Sequence, residues 1–479
     1  MSWQPAASGV AEADVAARGS GIKLAAELSG RVLSLAASYL LAVSLGVEGF
    51  GTFAAASGIA VVLAEAADLG LQGTAIRALV ARTMGLSSML RAKLLLTVLV
   101  GAGALGWLAV SPALGDVTAN LALPLLCPLI LYYVLAGWSE LLGVALRARG
   151  RRGEEAAVLL ALRAGTLVGV LAALRAGADL SGIAWAHALS TLPSLCIALP
   201  LTRRVYGRGL ESAAPQPPAL RVLRTALPLA VNGGLALLSL RLELLVVYFT
   251  RGSVESGLFG AALKVIESLA GIPNAVTAGA MPSLTRDALQ TMAAVRERVS
   301  GIMAMLAVPA GVGLALLAPA VVSLLGSEYD GASRPLAVLA LALVPLFMNT
   351  VLLHGLIAAG HASRLPRLTG ARVGAAAVLA AALIPAFGAI GAATGFLGSE
   401  LVLMLLAARA CGAVGFAVPL AVPLAVAVGL TPPMALVVAL AGRRLVVSVA
   451  LGVLTYAATL GAAWRFKPEL LRFLREARR

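Results

Sequence analysis

Residues 21–71 read GIKLAAELSGRVLSLAASYLLAVSLGVEGFGTFAAASGIAVVLAEAADLGL. Two apolar runs, 22–44 and 50–69, flank a short glycine-rich break. Each is close to the ~20 residues that a helix needs to cross a bilayer. Both runs carry charge. Lys23, Glu27 and Arg31 recur every fourth residue, which places them on one helical stripe where Glu27 can pair with either neighbour. Glu65 and Asp68, three apart, share a face of the second run. An ionisable group within a span costs roughly 2.5–3.5 kcal/mol on insertion scales, so it must line a wet cavity or pair across helices. The stretch therefore reads as two membrane helices with a polar side turned away from lipid.

The rest of the chain repeats this pattern. Of 479 residues, 60% are hydrophobic and 12% charged, and the mean hydropathy is +0.96. A water-soluble fold of this length could not hide so much apolar surface. The same figures exclude a disordered chain, a collagen and a small disulfide scaffold. Apolar runs at 22–44, 50–69, 94–110, 121–146, 156–174, 180–201, 226–249, 257–280, 299–325, 335–359, 369–384, 390–408, 416–440 and 445–464 predict an all-α, polytopic membrane protein with about fourteen transmembrane helices. Thr431-Pro432-Pro433 interrupts the thirteenth.

The formal charge is +15. Its distribution favours loop bias over nucleic-acid binding. Twenty-six basic residues, including Arg77, Arg82, Arg91, Lys93, Arg147, Arg149, Arg203 and Arg204, fall in one set of loops and the termini. Five fall in the alternate loops. By the positive-inside rule both termini are expected in the cytoplasm, and no nucleic-acid partner is expected. Residues 1–17 are polar and carry Glu12 and Asp14, so no cleavable signal peptide is expected. The tail from Phe466 to Arg479 is a candidate amphipathic helix along the inner surface, or a solvated basic tail.

The longest polar stretch contains Pro215-Gln216-Pro217-Pro218 and reads as a linker. The expected organisation is an N-terminal lobe of six helices at 1–202, a cytoplasmic linker at 203–225, a second six-helix lobe at 226–410, and two additional helices with the tail at 411–479. The halves echo each other. Val47-Glu48 followed by Gly51-Thr52-Phe53-Ala54 recurs as Val254-Glu255 followed by Gly257-Leu258-Phe259-Gly260, each between the first and second helix of its half. Matching position suggests a parallel repeat.

Enzyme signatures are absent. There is no Walker A loop, HExxH, CxxC or GxSxG. Gly101-Ala-Gly103-Ala-Leu-Gly106 lies inside a predicted span, where close helix packing explains it better than a dinucleotide. Cys127, Cys196 and Cys411 read as unpaired packing residues, His187 and His354 as bonded packing residues, and His361 as interfacial. No enzyme, cofactor or metal is expected. The informative residues are the charges within spans. Lys23, Arg31, Arg163, Arg241, Lys264 and Arg372 are candidates for a cationic cavity that grips a phosphate or pyrophosphate, which Arg can hold in bidentate fashion. Lys23 and Arg372 are close enough to helix ends to snorkel instead. Glu27, Glu65, Asp68, Glu140, Glu243, Glu267 and Glu400 either balance these cations or carry coupling and gating.

Several short motifs resemble a known group. Arg18-Gly19-Ser20 opens the first helix, Leu45-Gly46-Val47-Glu48-Gly49-Phe50-Gly51 ends it, and Ala67-Asp68-Leu69-Gly70-Leu71 with Arg77 closes the second. Leu451-Gly452-Val453-Leu454-Thr455-Tyr456 and Lys467-Pro468-Glu469-Leu470 mark the end. These resemble the Wzx-type polysaccharide (lipopolysaccharide O-antigen) flippases of the multidrug/oligosaccharidyl-lipid/polysaccharide (MOP) exporter superfamily. The resemblance implies two six-helix bundles in a V, of the kind seen in MATE and lipid II exporters, with alternating access. It implies transport of undecaprenyl-diphosphate-linked oligosaccharide between leaflets, beside glycosyltransferases and a polymerase of the same pathway. Arg31, Asp68, Arg241 and Lys264 would be its cavity or gate residues. Rival readings are a lipid II flippase of cell-wall synthesis, a cation-coupled multidrug exporter, and a membrane-embedded glycan polymerase or ligase. The short alternate loops argue against the last of these, and the 5% aromatic content argues against the drug exporter.

Overall fold

A computed structural model describes residues 7–110, 123–207, 215–273, 289–442 and 444–467, with 469 and 471. Every element among these is helical, and no strand occurs. The first is α1 (Ala7–Ala66), followed by α2 (Leu71–Val80), α3 (Leu86–Val110), α4 (Leu123–Ala148) and α5 (Arg152–Arg175). Next come α6 (Leu180–Leu189), α7 (Leu192–Tyr206), α8 (Ala219–Arg251) and α9 (Ser253–Leu269). Then follow α10 (Leu289–Val322), α11 (Ser333–Leu341), α12 (Leu343–Ala358) and α13 (Leu365–Ala413). The last three are α14 (Ala421–Leu430), α15 (Pro432–Ala441) and α16 (Leu445–Phe466).

Two of these helices are too long for one crossing. The apolar part of α1, Ala25–Ala66, has 42 residues. At ~1.5 Å per residue it is about twice the ~30 Å hydrocarbon layer. It breaks at Gly46, whose φ of 66° and ψ of 177° suit a residue without a Cβ. The 49 residues of α13 break at Gly388 (φ 55°, ψ −131°). There the chain doubles back, because Cβ positions at Gly395 and Gly398 both meet Leu379. Eleven segments are long and apolar enough to span a membrane. The breaks at Gly46 and Gly388 divide two of them, making thirteen. The 17-residue α9 brings the spans among the described residues to the expected fourteen. The thirteenth is both broken and continuous. Its halves α14 and α15 meet at Thr431, whose hydroxyl donates to Ala427 O at 2.7 Å, while Pro432 opens α15 with no donor to lose.

The chain forms two compact units. Unit 1 comprises Met1–Ser44 and Ala56–Leu237, and unit 2 comprises Leu45–Ala55 and Leu238–Arg479. Leu71, Leu86, Met89, Leu141 and Val222 pack at the heart of unit 1. Leu352, Leu356, Leu403 and Cys411 pack together in unit 2. The described part of the polar stretch is docked within unit 1. Gln216 Oε1 accepts from Ser87 and Ser88 hydroxyls at 2.5 and 2.9 Å, and Pro215 O accepts from Gly85 N at 3.0 Å.

Some expectations change. Gly101, Gly103 and Gly106 do not mediate helix packing among the described residues. Nothing lies within 4 Å of a Cβ at any of them, so they present a bare helix surface. Cys411 is buried as expected, but Cys196 is exposed on an apolar face. The His187 ring packs on Tyr132 with centroids 4.0 Å apart, and His354 Nδ1 lies 2.8 Å from Thr350 O. Most of the candidate tail helix, including 472–479, lies outside the described residues.

Candidate functional site

Unit 1 gathers carboxyls around one ammonium. Glu65 and Asp68 sit at the end of α1, where the chain turns into α2. The Lys93 ammonium donates to Asp68 Oδ1 at 2.8 Å, with the lysine side chain only 1% exposed. This corrects the sequence reading, which puts Lys93 in the basic loop before the third span. That helix begins at Leu86, so Lys93 lies two turns inside it. A charge at this depth is tolerated because it is paired. The charged groups acting on Glu65 are Asp68, Lys93 and Glu140. Gln72 donates to Glu140 Oε2 at 2.9 Å. A second group lies on the first arm of α1. Glu27 and Arg31 are half-buried, and a Cβ on the adjacent Gly30 would stand 3.2 Å from Arg163 Cγ. The glycine thus lets Arg163 pass close against α1. The Lys23 side chain lies outside the described residues.

Unit 2 holds two charged sites on either side of α8. Arg241 and Glu243 are two residues apart, about 200° around a helix, so they leave it on nearly opposite faces. Arg241 Nη1 lies 2.8 Å from Glu267 Oε1, and Lys264 Nζ, one turn earlier on α9, lies 3.2 Å from Glu267 Oε2. This triad is partly open, with side-chain exposures of 20% for Arg241, 35% for Lys264 and 20% for Glu267. Among the described residues, two cations meet on this one carboxylate.

The other site is sealed. Arg372 Nη2 lies 2.6 Å from Glu400 Oε1, and its Nη1 donates to Ser239 Oγ at 2.5 Å. Asn349 Nδ2 donates to Glu400 Oε2 at 2.7 Å and to the Glu400 carbonyl at 3.0 Å. The guanidinium also stands over the Phe396 ring, 5.5 Å from its centroid. Glu243 is buried beside this pair, with Arg372 and Glu400 as its charged neighbours. Glu400 pairs with the guanidinium, and Glu243 is a second buried carboxyl near them. Arg372 is therefore held in a closed network.

Sequence reasoning singles out thirteen charged residues and misses Lys93, Ser239, Asn349, Gln72 and Gly30. Asn349 had a legible signal, as a lone amide deep in an apolar run. Among the described residues no group of His, Cys, Asp and Glu is arranged to hold a metal. The triad can bind an anion, because a partly solvated guanidinium and ammonium retain donors for oxygen atoms. The sealed cluster can hold or release a proton only if its surroundings open.

No family model and no curated protein matches the sequence. Solved structures do match. The lipid II flippase MurJ in an inward closed conformation aligns with a TM-score of 0.75 and 14% identity, over 94% of this chain and 99% of that one. An inward-facing multidrug resistance MATE family transporter of the MOP superfamily aligns at 0.60 and 14%, over 83% and 99%. A MOP superfamily transporter from Pyrococcus furiosus aligns at 0.55 and 16%, over 84% and 96%. At such identities the likeness is one of fold, and the fold of this chain is that of the MurJ and MATE transporters.

Proposed function

We propose that the chain is a flippase that moves an undecaprenyl-diphosphate-linked oligosaccharide across a bacterial cytoplasmic membrane by alternating access, with both termini in the cytoplasm. The observation that carries this reading is the partly open triad of Arg241, Lys264 and Glu267, in which two cations meet on one carboxylate. A diphosphate offers several anionic oxygens to such a site, and Arg and Lys can grip it without neutralising each other. Arg163, which passes close to α1 at Gly30, and Arg31 on α1 would provide a second grip in unit 1. The carboxyls of unit 1 (Glu65, Asp68 and Glu140) and Glu243 with Glu400 in unit 2 are the groups we assign to coupling or gating. In this reading 1–202 and 226–410 are the transporting lobes, and the glycan polymer is built by glycosyltransferases and a polymerase of the same pathway.

A second reading is favoured by the higher structural likeness to MurJ: the cargo is lipid II, whose lipid carries the same diphosphate. The test has two steps. Purified protein in phospholipid vesicles should bind undecaprenyl diphosphate more tightly than undecaprenyl monophosphate, and Lys264→Ala and Arg241→Ala should remove the preference. Equal binding of both lipids by the unaltered protein would refute a diphosphate site. Depletion in cells then separates the cargoes. Lysis points to lipid II, and loss of surface polysaccharide from viable cells points to an exported oligosaccharide. Collapse of the proton gradient should slow flipping if the carboxyls couple it, and unchanged flipping would remove that role.

A further inference from the structure

A site for an anion gains no attraction from a carboxylate of its own, yet the triad is built around one. Glu267 Oε1 faces Arg241 Nη1 of α8 at 2.8 Å, and its Oε2 accepts from Lys264 Nζ of α9 at 3.2 Å. Each oxygen of the carboxylate thus meets a different cation. Two terminal oxygens of a phosphoryl group present the same pattern, adjacent acceptors that share negative charge. Glu267 therefore occupies donors that an incoming phosphoryl group needs.

Its surroundings set Glu267 apart from Glu400, which also pairs with an arginine. Glu400 and Arg372 are almost wholly enclosed, and Asn349 holds the second oxygen of Glu400. Parting that pair strands charge in a dry site. Solvent reaches all three members of the triad. An ion pair in such a setting contributes little to stability, so opening it costs little. The carboxylate is also tethered. It sits three residues from Lys264 on the same helix, so once displaced it stays close to the donors it has lost. Its effective concentration there is high, and it competes with any bound anion throughout the anion's stay. A carrier needs such a competitor, because a ligand held too tightly is never released.

We propose that Glu267 is a resident stand-in for a phosphoryl group: it holds Arg241 and Lys264 while the site is empty, yields them to an arriving anion, and reclaims them to release it. That the anion belongs to a lipid rests on the transport reading above, whereas the exchange itself does not. The test therefore uses two probes, inorganic pyrophosphate and undecaprenyl diphosphate. Titration calorimetry on the full chain in detergent measures the affinity for pyrophosphate. Glu267→Gln keeps the shape of the side chain and removes its charge. It should tighten pyrophosphate binding about three- to ten-fold, the size expected for freeing two partly exposed ion pairs. Adding Lys264→Ala should abolish the gain, which locates it at the triad. A carboxylate that merely holds the two cations in place predicts the opposite sign, weaker binding in Glu267→Gln. Chemical rescue is a second measurement. Added acetate should compete with pyrophosphate for Glu267→Ala and leave the unaltered protein unaffected, since its own carboxylate fills that place. Where a lipid is the cargo, Glu267→Gln in vesicles should also bind undecaprenyl diphosphate more tightly and flip it more slowly, as release becomes limiting. A gain for pyrophosphate without one for the lipid would support the exchange and refute the lipid as its ligand. Unchanged or weaker pyrophosphate binding in Glu267→Gln, or equal competition by acetate in Glu267→Ala and the unaltered protein, would overturn the proposal.

Discussion

Arg241 and Glu243 are two residues apart on α8 and lead into unlike surroundings. On one side Arg241 joins Lys264 and Glu267 at a partly open surface. On the other, Glu243 is buried near the closed Arg372–Glu400 pair. Charges in the open site are partly solvated, so their pairing contributes little to folding, and their donors stay available to a ligand. Charges in the closed site have lost their water, so each depends on its protein partners. The lesson is that membrane depth alone does not identify a binding residue. Solvent access separates a group that can meet a ligand from one that holds the bundle together.

Substitutions can break this comparison. Arg372→Met should have the largest effect, about 3–5 kcal/mol of lost stability, because Glu400 and Glu243 would share a dry site without a cation. Thermal unfolding in detergent measures it, and adding Glu400→Gln should recover most of the loss. Asn349→Leu should lower stability by about 1–3 kcal/mol in the same assay, since Glu400 loses a close donor. Lys264→Ala should behave in the opposite way. Its unfolding midpoint should move by less than about 1 kcal/mol, while undecaprenyl diphosphate binding weakens about ten-fold. The smallest effect sharpens the contrast. Raising salt from about 0.1 to about 1 M shortens the screening length from about 10 to about 3 Å. Diphosphate binding should weaken by a few-fold, and the deficit of Arg372→Met should not change. A large stability loss in Lys264→Ala, or none in Arg372→Met, would show the two sites to be alike.

The fourteen spans were legible because a bilayer demands long apolar runs, and the runs survive as helices with shifted ends. The third span shows the limit. Arg91 and Lys93 lower the local hydropathy, so the sequence starts that helix at 94, whereas the structure starts it at Leu86. Asp68 was the available clue, since a carboxyl inside a span requires a partner. The pairing of Glu65 with Asp68 on one face was readable from three-residue spacing, and so was that of Lys264 with Glu267. Arg372 with Glu400 was not. Periodicity places a residue on a face of its own helix but carries no information about which other helix that face meets. The polar neighbours Ser239 and Asn349 were missed for the same reason. The breaks at Gly46 and Gly388 were readable as ends of spans, but the carboxylates that cap them, Glu328 and Glu255, are distant in sequence.

Lys93 and Asp68 are enclosed so tightly that a Cβ on Gly137 would stand 2.9 Å from the lysine nitrogen. A neutral residue in place of Lys93 strands the Asp68 carboxylate, and a larger residue at 137 forces the tip of the lysine to shift. A change at one of the three therefore disturbs the other two. Among distant descendants of a common ancestor these positions should be inherited as a block, kept whole or replaced whole, while the exposed residues around them diverge freely.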